Sequence, residues 1–177
     1  ISLPSSGIGP RNTELRADLA IATLRTNGEG FVRMVTAAYG YFRAHGGGHL
    51  AVISSIADIR GLGFAPAYSA SKRMQGTYID SLAQLAHMEG CDIRFTEIRP
   101  GFVATPLLNR EAHYPMLMPD EKVAAHILRA LRRERRRVVL DCRNALLVLL
   151  WRLMPHWLWE RRLVRGQAKR KRATWRA

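Results

Sequence analysis

Cysteine is scarce in this 177-residue chain: Cys91 and Cys142 are the two present, far apart and outside any CxxC pattern. That excludes a disulfide framework and a cysteine-built zinc site, and it makes a reducing compartment the default. Cys91 reads as a buried thiol near a strand start. Long apolar runs are missing too. Ala145–Trp151 is seven residues long and is soon followed by Arg152, Pro155 and Glu160, too short and interrupted to span a bilayer. The six histidines show no metal-ligand spacing, so no metal site is expected, and His49 and His87 read as surface or loop residues. No positively charged leader or initiator Met opens the chain, which is expected to be part of a longer protein. Acidic residues are few, 14 against 28 basic, for a net charge of +14. What is present, 47% apolar and 24% charged residues, excludes wholesale disorder and collagen-like architectures and suits one domain with a sizeable core.

The excess charge is concentrated. From Arg132 to Ala177 there are 15 basic and 3 acidic residues; the first 131 residues carry 13 and 11. A nearly neutral body therefore precedes a strongly basic extension, and the division is read as 1–141 and 142–177.

Along the body, apolar spacing predicts a helix over 13–44, broken near Gly28 and Gly30 and ended at Gly46–Gly48. His49–Ser54 is a short apolar run rich in β-branched residues, the pattern of a buried parallel strand. A loop over 56–66 leads to a helix over Ala67–His87, then a strand over Asp92–Ile98 broken by Pro100-Gly101. Residues 102–118 read as irregular, Pro119–Arg133 as helix, Arg137–Asp141 as strand and Asn144–Arg165 as a helix interrupted at Pro155. Strands alternating with helices imply right-handed crossovers and a parallel sheet flanked by helices. Ligands then sit beyond the carboxyl ends of the strands, at the turns after residues 54 and 98.

Those turns hold chemistry. Ser55 follows the first strand, Tyr68 comes thirteen residues later at a helix start, and Lys72 lies four residues beyond it. Positions i and i+4 share a helix face, so Tyr68 and Lys72 project together. A phenol is a poor acid at neutral pH, but a nearby ammonium and a helix N-terminus favour its ionised form. Such a tyrosine can pass a proton to or from a carbonyl oxygen, and a serine hydroxyl can hold that oxygen. Hydride has to come from a cofactor.

The set Ser54-Ser55, Tyr68-Ser69-Ala70-Ser71-Lys72 and Arg99-Pro100-Gly101-Phe102-Val103-Ala104-Thr105-Pro106 resembles the short-chain dehydrogenases/reductases. The resemblance implies a Rossmann-type α/β fold, here its C-terminal portion, and NAD or NADP as cofactor. It implies Tyr68 as acid/base, Lys72 as its tuner and nicotinamide-ribose ligand, and Ser55 as the group that orients the substrate carbonyl. Asn27 would hold a proton-relay water near the lysine. Pro100, Gly101, Val103 and Thr105 would contact the nicotinamide half. Residues 5–9 depart from the family's TGxxxGxG turn; Gly7 stands 20 residues before Asn27, so Ser5-Ser6-Gly7 reads as a degenerate NAG turn with Gly7 at the cofactor. The half that binds the adenine end is then expected to lie outside this chain. A small carbonyl or alcohol substrate and a homo-oligomer follow from the same resemblance.

The extension carries Trp151, Trp157 and Trp159 among arginines, which fits a helix over 144–165 lying on a membrane surface. The same helix fits equally well packed on a subunit neighbour or on the half outside this chain, so a cytoplasmic protein is expected, with peripheral membrane contact as one reading of the extension. The basic run Lys169–Arg172 comes with no nucleic-acid module, so nucleic acid is not expected as a partner. The rival to an oxidoreductase is a non-catalytic scaffold that keeps the family core and works through this cationic extension.

Overall fold

The computed structural model describes residues 9–104 and 116–161. Its first helical run comprises α1 (Ala17–Leu24), a π-helical turn (Arg25–Gly30) and α2 (Phe31–Ala44). The run starts later than periodicity suggests. Asn12 brackets Arg16 with two 2.8 Å hydrogen bonds, one to its N–H and one to its carbonyl, and Leu15 adopts φ 53°. The break expected at Gly28 and Gly30 is instead a widening. Leu24, Gly30 and Phe31 keep helical dihedrals, and the glycines wind into the wider turn.

After the turn at Gly46 and Gly47 comes β1 (Gly48–Ile53), then a single 3₁₀ turn (Ile56–Asp58) and α3 (Pro66–Met88). Pro66 starts α3, a position where its missing N–H costs nothing. Next are β2 (Ile93–Arg99), β3 (Val103–Ala104), β4 (Met118–Pro119), α4 (Asp120–Arg132) and β5 (Arg137–Val139). Helix α5 (Cys142–Leu153) is capped by the Asp141 carboxylate, which accepts from the Arg143 N–H at 3.0 Å. It stops before Pro155, and α6 (His156–Arg161) follows.

The main sheet is parallel, in the order β1–β2–β5. Leu50 pairs with Phe95 and Val52 with Glu97, so these residues share a face. Leu50, Val52, Ile93 and Phe95 pack there against Phe31, Val35, Tyr39 and Phe42 of α2 and Ile79 of α3. Ile98 points the other way and packs with Val123 of α4, Met118 and Leu140. β3 and β4 form a separate two-stranded parallel ladder, so the stretch read as irregular is flanked by short strands that are too brief to leave a periodic signal.

His49 departs from its surface reading. It is buried in β1, its Nε2 is 2.8 Å from Thr96 Oγ1, and burial lowers its pKa; His87 is exposed. Cys91 is only half-buried, at the edge of the core. Among the described residues no helix is long and apolar enough to cross a membrane.

Candidate active site

Two adjoining sheet-edge turns build the site. The Ser54 N–H donates to the Ile98 carbonyl at 2.8 Å and the Ile56 N–H to the Pro100 carbonyl at 3.1 Å, which ties the exits of β1 and β2 together. Ser55 is extended there, and its hydroxyl accepts from the Ala57 N–H at 3.1 Å. Tyr68 lies in the first turn of α3, close enough to the Ser55 side chain for that hydroxyl to favour its phenolate. One turn on, the buried Lys72 places its Nζ 5.9 Å from the Tyr68 ring centroid. Nζ donates to Gln75 Oε1 at 3.0 Å and to the Ile53 carbonyl at 3.4 Å.

Asn27 is fully buried in the π turn; its side chain donates to Ser71 Oγ at 3.0 Å, and Ser71 donates to the Tyr68 carbonyl at 2.8 Å. The structure thus brings Ser55, Tyr68, Lys72 and Asn27 into one neighbourhood. Pro100, Gly101 and Val103 lie on the adjacent exit. Gly101 is held by close approach: a Cβ would come within 2.6 Å of the side-chain amide of the buried Asn144. Gly7 and Thr105 lie outside the described residues.

Burial dominates the electrostatics. It lowers Lys72 to about 8, while the Asp58 charge acts in the opposite direction. The Tyr68 phenol stands above its ordinary value, not below as the sequence suggests. Burial penalises the phenolate, and the Ser55 hydrogen bond pulling it down is outweighed. The lysine pKa has a consequence for stability. Between about pH 8 and 10.5 only the unfolded chain keeps the Lys72 proton, so stability should rise across that window. The slope is at most ~1.4 kcal/mol per pH unit, and Lys72→Met should remove this part of the rise in urea unfolding. Identical pH profiles for the two chains would show that Lys72 keeps an ordinary pKa.

Sequence reasoning missed the ion cluster beneath the site. Arg99 pairs with Asp58 at 2.7 Å and, through two nitrogens, with Glu97 at 3.0 and 3.2 Å; all three are buried. Arg137 Nε reaches Glu97 at 3.1 Å. Burial raises Asp58 to about 6 against the pull of Arg99. A signal existed: Glu97 and Arg99 are charges two apart, hence on one face of β2. Among the described residues no cluster of His, Cys, Asp or Glu could hold a metal ion.

The donor set suits the nicotinamide end of a dinucleotide. A buried ammonium sits beside a phenol and a serine hydroxyl, and Gly9 brings backbone against the Tyr68 ring, where a Cβ would stand 2.7 Å from Cδ2. A parallel sheet with these groups at its carboxyl edge defines an enzyme-like α/β domain.

The chain belongs to the short chain dehydrogenase family, which it matches over residues 6–114. It is 30% identical over 148 residues to an uncharacterized oxidoreductase of Mycobacterium tuberculosis, covering 84% of this chain and 59% of that protein. It is 28% identical over 120 residues to sepiapterin reductase of Chlorobaculum tepidum, covering 66% of this chain and 48% of the reductase. The chain thus spans less than two thirds of the length of these relatives. A solved short chain dehydrogenase from Burkholderia cenocepacia, in complex with NADP, superposes with a TM-score of 0.70 at 18% identity, over 88% of this chain and 70% of that one. That likeness shows the fold, Rossmann-like α/β.

Proposed function

We propose that the protein is an NAD(P)-dependent oxidoreductase that interconverts a small carbonyl compound and its alcohol. The observation that carries this is the convergence of Ser55, Tyr68 and Lys72 at the carboxyl edge of the sheet. A bound nicotinamide supplies or accepts the hydride. Tyr68 donates the proton to the carbonyl oxygen in reduction and removes it from the alcohol in oxidation. Ser55 holds that oxygen, and Lys72 binds the nicotinamide ribose and favours the phenolate. Pro100, Gly101 and Val103 contact the nicotinamide half, with Gly7 and Thr105 added from the sequence. A phenol raised by burial keeps its proton at neutral pH, which fits a proton donor in the reductive direction. NADP is the first cofactor to test, because the structural neighbour from Burkholderia cenocepacia holds it. Fluorescence titration with NADPH and NADH tests the reading. Saturable binding that weakens in Lys72→Met is expected; no binding of either nucleotide would favour the non-catalytic scaffold.

A specific observation favours peripheral membrane contact. Leu146, Leu149, Leu150, Leu153 and Trp157 are 52–72% exposed along α5 and α6, with Arg143, Arg152 and Arg161 in the same helices. Opposite them, Val148 packs on Ile56 and Ile59. Arg60 donates to the Trp151 carbonyl at 3.0 Å, and Trp159 Nε1 to the Gly61 carbonyl at 2.8 Å. An apolar ridge anchored beside the Ser55 turn and flanked by arginines suits an anionic lipid surface. The chain should co-sediment with phosphatidylserine-containing vesicles, and Leu149→Glu with Leu153→Glu should abolish this. Equal sedimentation of both chains would exclude the ridge. We place the protein in the cytoplasm, at that surface. A homo-oligomer is supported by apolar Ile21, Leu24 and Met34 exposed on α1 and α2.

A further inference from the structure

We propose that Gln75 is a positioning residue for Lys72: its side-chain amide spans the gap between the ammonium and the Asn27 carbonyl, and so sets where the lysine stands and how readily it stays charged. This rests on the acid/base reading of Tyr68 and Lys72.

Gln75 lies three residues after Lys72 on α3, hence on the same face, and is 1% exposed. Its Oε1 accepts from Lys72 Nζ at 3.0 Å, and its Nε2 donates to the Asn27 carbonyl at 2.7 Å. The amide can take only this orientation, because an ammonium has donors alone and a carbonyl oxygen accepts alone. The π turn explains why that carbonyl is offered. In an α-helix the Phe31 N–H would bond to Asn27, four residues back; here it donates to Gly28. A glutamine three residues past the lysine and a widened turn whose Asn27 lies 48 residues before that glutamine thus form one device. The family resemblance implies a relay water held by Asn27 near the lysine; the Gln75 amide also reaches from the lysine to the Asn27 carbonyl.

The consequence is electrostatic as well as steric. Lys72 is faced by the Asp58 carboxylate from the turn after β1, by Tyr68 on its own helix and by the neutral Ile53 carbonyl of β1, and Gln75 links it to Asn27 of the π turn. Burial works against the ammonium. A carbonyl-type acceptor at 3.0 Å works for it, so Gln75 adds to Asp58 in keeping Lys72 protonated near neutrality.

The chain has four lysines, Lys72, Lys122, Lys169 and Lys171, so ¹³Cε-lysine labelling gives a spectrum in which Lys72 is assigned by its loss in Lys72→Arg. Its titration should be followed in the wild type, in Gln75→Met, which keeps side-chain length without an acceptor, and in Gln75→Glu. Loss of a hydrogen bond to a charged group should lower the Lys72 midpoint by about one pH unit in Gln75→Met. Gln75→Glu should raise it by at least as much, and this variant decides alone should Gln75→Met fail to fold. The pH profile of NADPH-dependent carbonyl reduction should move in the same directions. Lys72 midpoints unchanged in both variants would overturn the proposal. Midpoints that move while the rate profile stays fixed would uphold Gln75 as the lysine's positioner and count against the acid/base reading instead.

Discussion

Tyr68→Phe is expected to lower carbonyl reduction by ~10²–10⁴-fold, the range for loss of a positioned general acid, with thermal stability close to wild type. The loss should fall on kcat. The phenol ring, which carries the packing against Gly9 and the contact with Lys72, is retained, so NADPH binding should change little. Only the hydroxyl that meets Ser55 is removed. Steady-state kinetics with a panel of simple ketones and aldehydes measures this. A near-normal kcat in Tyr68→Phe would remove the proton-donor role.

Arg99→Leu should have the largest effect on stability. Arg99 is the cation between two buried carboxylates, Asp58 at 2.7 Å and Glu97 at 3.0 Å. Removing one partner of a buried ion pair while the other charge stays costs ~3–5 kcal/mol. Arg137 remains on Glu97, so Asp58 bears most of the loss. A carboxyl already raised to about 6 should rise further without Arg99. The deficit should therefore be greatest at neutral pH, where Asp58 must be charged, and shrink in acid as Asp58 takes up its proton. Urea unfolding of both chains between pH 4 and neutrality checks this. A deficit that does not depend on pH would show that Asp58 is not the stranded charge. Because Asp58 also faces Lys72, the same substitution should weaken the site.

The sheet and the pairing of Tyr68 with Lys72 were legible for simple reasons. β1 is a run of buried β-branched and aliphatic residues, and Tyr68 and Lys72 are four apart on a helix that Pro66 begins. Pro155 announced the end of α5. Other features left little trace. A π turn inserts one extra residue locally, so the apolar spacing on either side still reads as helix, and Gly28 and Gly30 look like breakers. Strands of two residues, such as β3 and β4, cannot show alternation. Gln75 reads as one polar residue on a long amphipathic helix until Asn27 is seen to meet it. The acidity of Tyr68 is not legible, because a charge neighbour is visible in a sequence and the depth of burial is not.

Deuteride transfer is the most direct measurement of the central claim. NADPH carrying deuterium at both positions of nicotinamide C4 is incubated with the protein and a reducible ketone, and the alcohol is analysed by mass spectrometry. One deuterium on the former carbonyl carbon is expected with the wild type, and almost none in the same time with Tyr68→Phe. Alcohol formed without the label, or labelled equally fast by both proteins, would contradict the account.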